Sequence, residues 1–405
     1  MSTQPAPPDA AVRRARTAVA VVFAANGLAF AAFIARTPAI RDTFGLSSAQ
    51  LGLLLLCLSA GAVAGLPLSG PIVQRFGAAR AVLLGVLSVT AGMGLLTAGL
   101  LTEAVALAAL GLFTNGLGMG VWDVAMNVEG AAVEQRLGRS LMPRLHAVFS
   151  LGTVIGAGVG AAAAAAGLPL AVQVITIAAL LPAVAVLGTR RFLLQRPPAR
   201  TPDTPRSGPG ALAAWREPRT LLVGVMVLGF AFTEGSANDW IAIAFVDGYG
   251  TGEAVGALAF GVFVSAMTIA RLLGGAALER FGRVPMLRGS AALGVAGLLL
   301  VLIGGSTQVA LVGALLWGAG AALGFPVGMS AAADDPARAA LRVSVVSSIG
   351  YCAFLAGPPL IGVLAEHAGI LPALFVVLGA LVLGLLCSAA ARPLHPAGAQ
   401  PAAGQ

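Results

Sequence analysis

Leu66-Pro-Leu-Ser-Gly-Pro-Ile-Val-Gln-Arg-Phe-Gly77 aligns without a gap on Arg271-Leu-Leu-Gly-Gly-Ala-Ala-Leu-Glu-Arg-Phe-Gly282, 205 positions further on. In each stretch an apolar run reaches a Gly, then an amide or acid, then Arg-Phe-Gly. The offset divides a chain of 405 residues into two equivalent halves. Self-similarity at so long a period marks a duplicated architecture, which is the first fact to build on.

Composition names the solvent of those halves. Apolar residues make up 58% of the chain and charged residues 10%, with a mean hydropathy of +0.93. A soluble domain carries roughly 25% charge, so this chain cannot coat itself with a water-facing surface. Its apolar runs are long and continuous, which reads as membrane-spanning helices and excludes the alternation of a barrel. Duplicated halves in a membrane are the sequence mark of a secondary transporter.

Twelve apolar segments can be drawn, at about 17–37, 48–70, 80–100, 104–127, 146–166 and 169–189, then 220–243, 254–278, 286–304, 308–330, 343–365 and 370–391. Every one of the 24 basic residues is Arg, and the absence of Lys reads as genomic base composition. With an inner N-terminus, 21 of them fall on the inner face, leaving Arg36 and Arg41 outside and Arg271 within a helix. Inner loops then carry Arg75 and Arg80, Arg136, Arg139 and Arg144, Arg280, Arg283 and Arg288, and Arg338 and Arg342. Outer links such as Gly167-Leu-Pro169 and Gly304-Gly-Ser-Thr-Gln308 carry none. The net charge of +8 therefore reports orientation in the membrane and not nucleic-acid binding. Arg13, Arg14 and Arg16 imitate a signal peptide, but the run continues to Ala35 and reads as an uncleaved first helix.

The expected organisation is a cytoplasmic tail at 1–16, a six-helix bundle at 17–189, a linker at 190–219, a second bundle at 220–391 and a tail at 392–405. The linker holds seven Arg and six Pro, which block helix continuation and make it a cytoplasmic connector. Gly111, Gly116, Gly118 and Gly120 in the fourth segment, and Gly152, Gly156, Gly158 and Gly160 in the fifth, predict close helix packing. Cys57, Cys352 and Cys387 give no disulfide framework or metal spacing and are read as core.

Gly70-x-x-x-Gln74-Arg75-x-Gly77 and Gly275-x-x-x-Glu279-Arg280-x-Gly282-Arg283 together resemble the signature loop of the major facilitator superfamily. That loop lies between helices 2 and 3 and again between 8 and 9. The resemblance spans almost the whole chain and implies an all-α membrane protein of twelve transmembrane helices in two six-helix bundles. Physically, Gly275 is expected to admit a neighbouring helix, Glu279 to cap nearby positive dipoles, and Arg280 and Arg283 to hold inner-face partners. Gly70, Arg75, Gly77 and Gly282 complete this inner-loop gate, with Gln74 standing where an acid is usual.

Gly116-x-Gly-x-Gly-Val-Trp-Asp123-Val-Ala-Met-Asn127 is similar to fucose-permease-like members, which carry a carboxylate and a nearby Asn there. His146-x-x-Phe-Ser-Leu-Gly152, Glu234-Gly-x-x-x-Asp239-Trp240 and Gly357-Pro-Pro-x-x-Gly362 look like a bacterial subgroup near that branch. The first segment departs from the sugar symporters, being apolar apart from Asn26. Drug/proton antiporter marks are missing too, with Leu112 and Gly156-Ala157 at the corresponding places.

A carboxylate within the bilayer costs roughly 2.5–3.5 kcal/mol on insertion scales and is seldom retained without a task. Asp123 and Asn127 are four apart, on one helical face, as are Glu234 and Asn238. Glu234 falls near mid-membrane and Asp239 nearer the outer surface, where anchoring by Trp240 is the plainer alternative. By resemblance, helices 1, 4, 7 and 10 line a central cavity, which would place Asp123 and Glu234 on it. For Asp123, with Glu129 further along the same helix, the competing reading is a structural partner of an inner-loop Arg. Arg271 is expected to snorkel inward, a structural role ranking ahead of anion binding. His146 reads as a packing residue before a proton relay, and Phe325-Pro326 as a break in the tenth helix.

No Gly-rich phosphate loop ending in Lys exists in a chain without Lys, and no catalytic or metal-ligand cluster appears, so neither an enzyme nor a cofactor is expected. The expected function is proton-coupled uptake of a small organic solute, sugar-like or another polar metabolite, by a monomer in the cytoplasmic membrane with both termini inside. Its substrate and coupling residues would be Asp123, Asn127, Glu234, Asn238 and Asp239. Proton-coupled efflux of a drug or metabolite is the runner-up, and a transporter-derived membrane sensor the third reading.

Overall fold

The computed structural model describes residues 10–137, 141–193, 214–335 and 338–394, and every structural statement concerns these residues. They form twelve helices long and apolar enough to cross a membrane, with no strand among them. The first half comprises α1 (Ala10–Ile34), the short α2 (Thr37–Phe44), α3 (Ser48–Phe76), α4 (Ala78–Thr102), α5 (Val105–Leu137), α6 (Met142–Ala165) and α7 (Leu170–Thr189). The second begins with α8 (Pro218–Ile243), which runs on through a π-helical turn at Ala244–Gly248, then α9 (Glu253–Phe281) and α10 (Arg283–Ile303). Next come α11 (Thr307–Ala321) and α12 (Gly324–Ala332), two pieces of one span, followed by α13 (Ala339–Ala368), the single turn α14 (Ile370–Ala373) and α15 (Phe375–Cys387).

The repeated motif reproduces its backbone as well as its sequence. Gly77 alone joins α3 to α4 at φ 81°, ψ 161°, and Gly282 alone joins α9 to α10 at φ 81°, ψ 165°. A side chain would strain either turn, so glycine at both places is a requirement of geometry. Helices run further than hydropathy indicates. α1 begins at Ala10 and carries Arg13, Arg14 and Arg16 on its first turns, and α2 is an element of its own with Pro38 in its first turn. Arg139 and most of the 190–219 linker lie outside the described residues, as do most of the 392–405 tail and the first nine residues of the 1–16 tail.

The chain divides into two compact units that cut across the sequence halves. One comprises Met1–Pro202, Asn238–Ser265 and Pro358–Ala373; the other comprises Asp203–Ala237, Ala266–Gly357 and Leu374–Gln405. Glycine sets the helix contacts in each. In the first, a methyl on Gly118 would stand 2.6 Å from the Gly85 carbonyl oxygen, and one on Gly111 would stand 2.6 Å from the Leu96 nitrogen. Gly116 meets the Leu58 carbonyl and Gly152 that of Ala24, while Gly158 alone of the eight singled-out glycines has nothing close to it. In the second unit Gly297 and Gly313 approach the same way, a methyl on either standing 2.6 Å from the other's carbonyl. Without a hydrophobic drive between helices in lipid, such close backbone approach supplies the packing.

The cysteines correct an expectation. All three are free, but Cys57 and Cys387 are half-buried and Cys352 is exposed, so none belongs to a sealed core. At one end of the second unit, Glu217 accepts from Arg342 Nε at 2.6 Å and Arg338 Nη1 at 2.8 Å. The hydrogen bond from Arg342 is the main reason its carboxyl is held down at about 2.

Candidate solute and coupling site

In the first unit, α5 carries Asp123 on an accessible face one turn before Asn127. The Asn127 amide donates to the Asp123 carbonyl at 2.8 Å and to its carboxylate Oδ1 at 3.3 Å, so the expected pairing by helical spacing is present. His146 stands at the start of α6, four residues after Met142. Its ring hydrogen-bonds the Met142 carbonyl at 3.2 Å and packs tilted by 50° against Phe23, with centroids 5.7 Å apart. Glu129, further along α5, is buried and accepts from the Leu193 amide at 2.6 Å, which makes it a tie to the end of α7.

Asn238 and Asp239 lie on the part of α8 that belongs to the first unit, and both are half-buried. Asp239 has no hydrogen-bond or ion-pair partner among the described residues. Trp240 is fully buried, so the reading of it as a membrane-edge anchor fails.

In the second unit, Glu234 on α8 accepts from Arg271 Nη2 of α9 at 2.7 Å, with 17% and 30% of the two side chains exposed. Arg271 therefore does not snorkel. Its Nε also donates to the Ala322 carbonyl at 3.2 Å. The reason that carbonyl is available lies four residues on. Pro326 has no amide hydrogen, and its ring clashes with the carbonyl four positions back, so the span breaks between α11 and α12. The expected break at Phe325-Pro326 thus falls one turn earlier, and Arg271 takes the released oxygen. Phe354 of α13 packs on Gly235, next to Glu234, and Tyr351 lies between Phe354 and Phe325 with ring centroids 6.4 Å and 6.5 Å away.

The repeated loops hold less than expected. Arg283 bonds Asp334 at 2.7 Å and Ser330 at 2.8 Å, and Asp334 also takes Arg219 at 2.8 Å. Arg75 and Arg280 instead lie over the neighbouring rings of Phe76 and Phe281, while Glu279 is exposed. No described atom lies within 4 Å of where a side chain on Gly70 or Gly275 would begin, so the close helix expected at Gly275 is not there in this conformation.

Sequence reading missed a second polar centre, in the first unit. Arg36 follows α1 and is 5% exposed; it grips Glu253 of α9 through Nε at 2.5 Å and Nη2 at 2.9 Å. Its Nη1 donates to the Leu168 carbonyl at 2.7 Å and to Gln173 at 3.1 Å. Arg41 similarly bonds Asp247 in the π-helical turn. The signal was available: two acids flank the link between the seventh and eighth segments, on the side assigned to the two stray arginines.

Comparison with known proteins settles the lineage. The Major Facilitator Superfamily profile matches residues 17–253 and 236–405. An uncharacterised MFS-type transporter of Yersinia pestis is 31% identical over 372 residues, covering 91% of this chain and 93% of that one. The chain belongs to the major facilitator superfamily. It is a multi-pass membrane transporter, and no enzymatic activity attaches to that family. An uncharacterised transporter of Sinorhizobium fredii is 32% identical over 370 residues, covering 89% of this chain and 93% of the relative. Among solved structures, a mutant form of nucleoside transporter NupG superposes with a TM-score of 0.76 at 15% identity, covering 93% of this chain and 99% of that one. The Escherichia coli fucose:proton symporter FucP gives 0.64 at 16% identity, covering 93% and 98%. These likenesses establish the twelve-helix fold of this transporter.

Proposed function

We propose that this transporter carries a small organic solute into the cell by alternating access, driven by protons. The carrying observation is the presence of two carboxylates within apolar spans, Asp123 and Glu234, each with a partner it can exchange. Asn127 serves the first, Arg271 the second. A site that trades a proton against such a partner changes its charge during the cycle, which couples proton and solute movement. FucP is a fucose:proton symporter and NupG a nucleoside transporter, which supports a polar metabolite as cargo and a proton as its partner. The arginine distribution supports an inner-membrane protein with both termini and the 190–219 segment cytoplasmic, Arg36 and Arg41 lying at the outer face.

The test uses proteoliposomes with an imposed pH gradient and fucose, nucleosides and small organic acids as cargo. Asp123→Asn and Glu234→Gln keep shape and remove titration. At least one should abolish gradient-driven accumulation while sparing solute exchange. Both accumulating like the parent would sink proton coupling through these acids, and binding without flux would make the protein a sensor.

A further inference from the structure

Arg271 and Arg36 hold their acids in different ways. A guanidinium has five donors and can take two carboxylate oxygens at once. Arg36 does so and is 5% exposed; Arg271 uses one nitrogen on one oxygen of Glu234 and leaves 30% of its side chain exposed. Its remaining nitrogen, Nη1, has no hydrogen bond among the described residues. Arg271 thus presents an unengaged edge while its far side is fixed by the Ala322 carbonyl.

The other ion pairs of this unit gather at the helix ends, among Glu217, Arg219, Arg283, Asp334, Asp335, Arg338 and Arg342. The span formed by α11 and α12 contains no ionisable side chain, and α15 has only Cys387, at its end. On α8, Asp239 follows Glu234 by about 7.5 Å along the helix, and Arg219 lies 15 residues before Glu234, about 22 Å away. Glu279 and Arg280 end α9, Arg283 and Arg288 begin α10, and Arg342 begins α13, whose middle carries Tyr351 and Cys352. Glu234 is therefore the counter-ion of Arg271. Neutralising it leaves a part-buried cation without its counter-ion, an unfavourable arrangement.

We propose that Arg271 anchors the carboxylate of an anionic solute, which replaces Glu234 on the guanidinium when Glu234 takes up a proton. This rests on the transport reading and adds the class of cargo: a small organic monocarboxylate. Phe325, Tyr351 and Phe354, the last packed beside Glu234, supply an apolar ring surface for the rest of such a solute. The exchange balances. Glu234 gains one proton, Arg271 gains one carboxylate in its place, and the site keeps its net charge. One proton and one monoanion then cross together without moving charge. Because coupling is reciprocal, the anion also favours protonation of Glu234.

The experiment measures binding to the full-length protein in detergent, in mildly acidic and mildly alkaline buffer. Probes are gluconate, glucuronate and benzoate, with neutral glucose, fucose and uridine beside them. At least one carboxylate should bind roughly tenfold more tightly in acid, within the usual range of coupling between sites. Glu234→Gln should bind it tightly in both buffers. Arg271→Lys should weaken it by about tenfold through loss of the fork. The double variant E234Q/R271Q, which leaves no lone buried charge and so keeps the fold, should not bind it. In proteoliposomes, uptake of that carboxylate should be indifferent to membrane potential. The anchor is overturned if only neutral probes bind, if the double variant keeps carboxylate affinity, or if no carboxylate binds E234Q. Flux of a neutral probe would leave the transport reading standing without the anchor. Carboxylate binding without flux would leave the anchor standing without transport.

Discussion

Asp239 shows at the residue scale what a functional group costs. It is a half-buried acid in a membrane-spanning helix with no hydrogen-bond or ion-pair partner among the described residues. Insertion scales put a charge at the membrane centre at roughly 2.5–3.5 kcal/mol, an upper bound for a group nearer the end of its helix. Asp239→Asn should therefore raise the unfolding midpoint in detergent by a few degrees, in the range of about 1 kcal/mol, while lowering transport. A lower midpoint would mean that the carboxylate holds the fold together. The acids were legible in the sequence because they interrupt apolar runs, and helical spacing was enough to pair Asp123 with Asn127. The partner of Glu234 was not legible. Arg271 lies 37 positions away on another helix, and its orientation depends on a carbonyl released by Pro326 on a third.

At the scale of elements, hydropathy found every membrane span because the cost of exposing backbone in lipid leaves little alternative to a helix. Helix ends were less legible, since α1, α3 and α9, at 25, 29 and 29 residues, are longer than the roughly 20 apolar residues that a span requires, and apolar character does not mark the excess. Glycine content predicted close packing without saying which glycines meet a neighbour. Gly116 on α5 faces the Leu58 carbonyl of α3, a backbone atom that cannot rotate away, whereas Gly158 on α6 faces open space. Gly116→Ala should destabilise by about 1–3 kcal/mol through overpacking. Gly158→Ala should be neutral or stabilise by up to about 1 kcal/mol, because alanine is the better helix former. Thermal unfolding of both in detergent checks the contrast, and equal midpoints would remove the α3–α5 contact as a determinant of stability.

At the scale of the whole molecule, the repeat and the charge asymmetry carried the architecture, and neither revealed how segments from both sequence halves join within the first unit. That junction is made by Arg36 on Glu253, Arg41 on Asp247, and the backbone approach of Gly362 on α13 to Ser48 at the start of α3, where a methyl would stand 2.6 Å from the carbonyl. The alternating-access cycle proposed above requires these contacts to form and break in each turnover. The bidentate Arg36–Glu253 pair should dominate, because Arg36 is 5% exposed whereas Arg41 is 16% exposed and Asp247 33%. Removing one partner of a buried pair leaves the other uncompensated, at a cost of about 3–5 kcal/mol that separation of the elements relieves. Glu253→Gln should therefore shift the population toward the open form at this end. Ala365→Cys reports on it, since Ala365 is 6% exposed on α13 and lines a recess with Ser48 and Asp247. With Cys57, Cys352 and Cys387 replaced by Ser, alkylation at position 365 should quicken by at least about tenfold in Glu253→Gln, the factor that 1.4 kcal/mol of population shift produces. Asp247→Asn should give a smaller increase. The double variant R36Q/E253Q, with no stranded charge, should fall between parent and Glu253→Gln. An unchanged alkylation rate in Glu253→Gln would show that glycine packing, and not the ion pair, keeps this end shut.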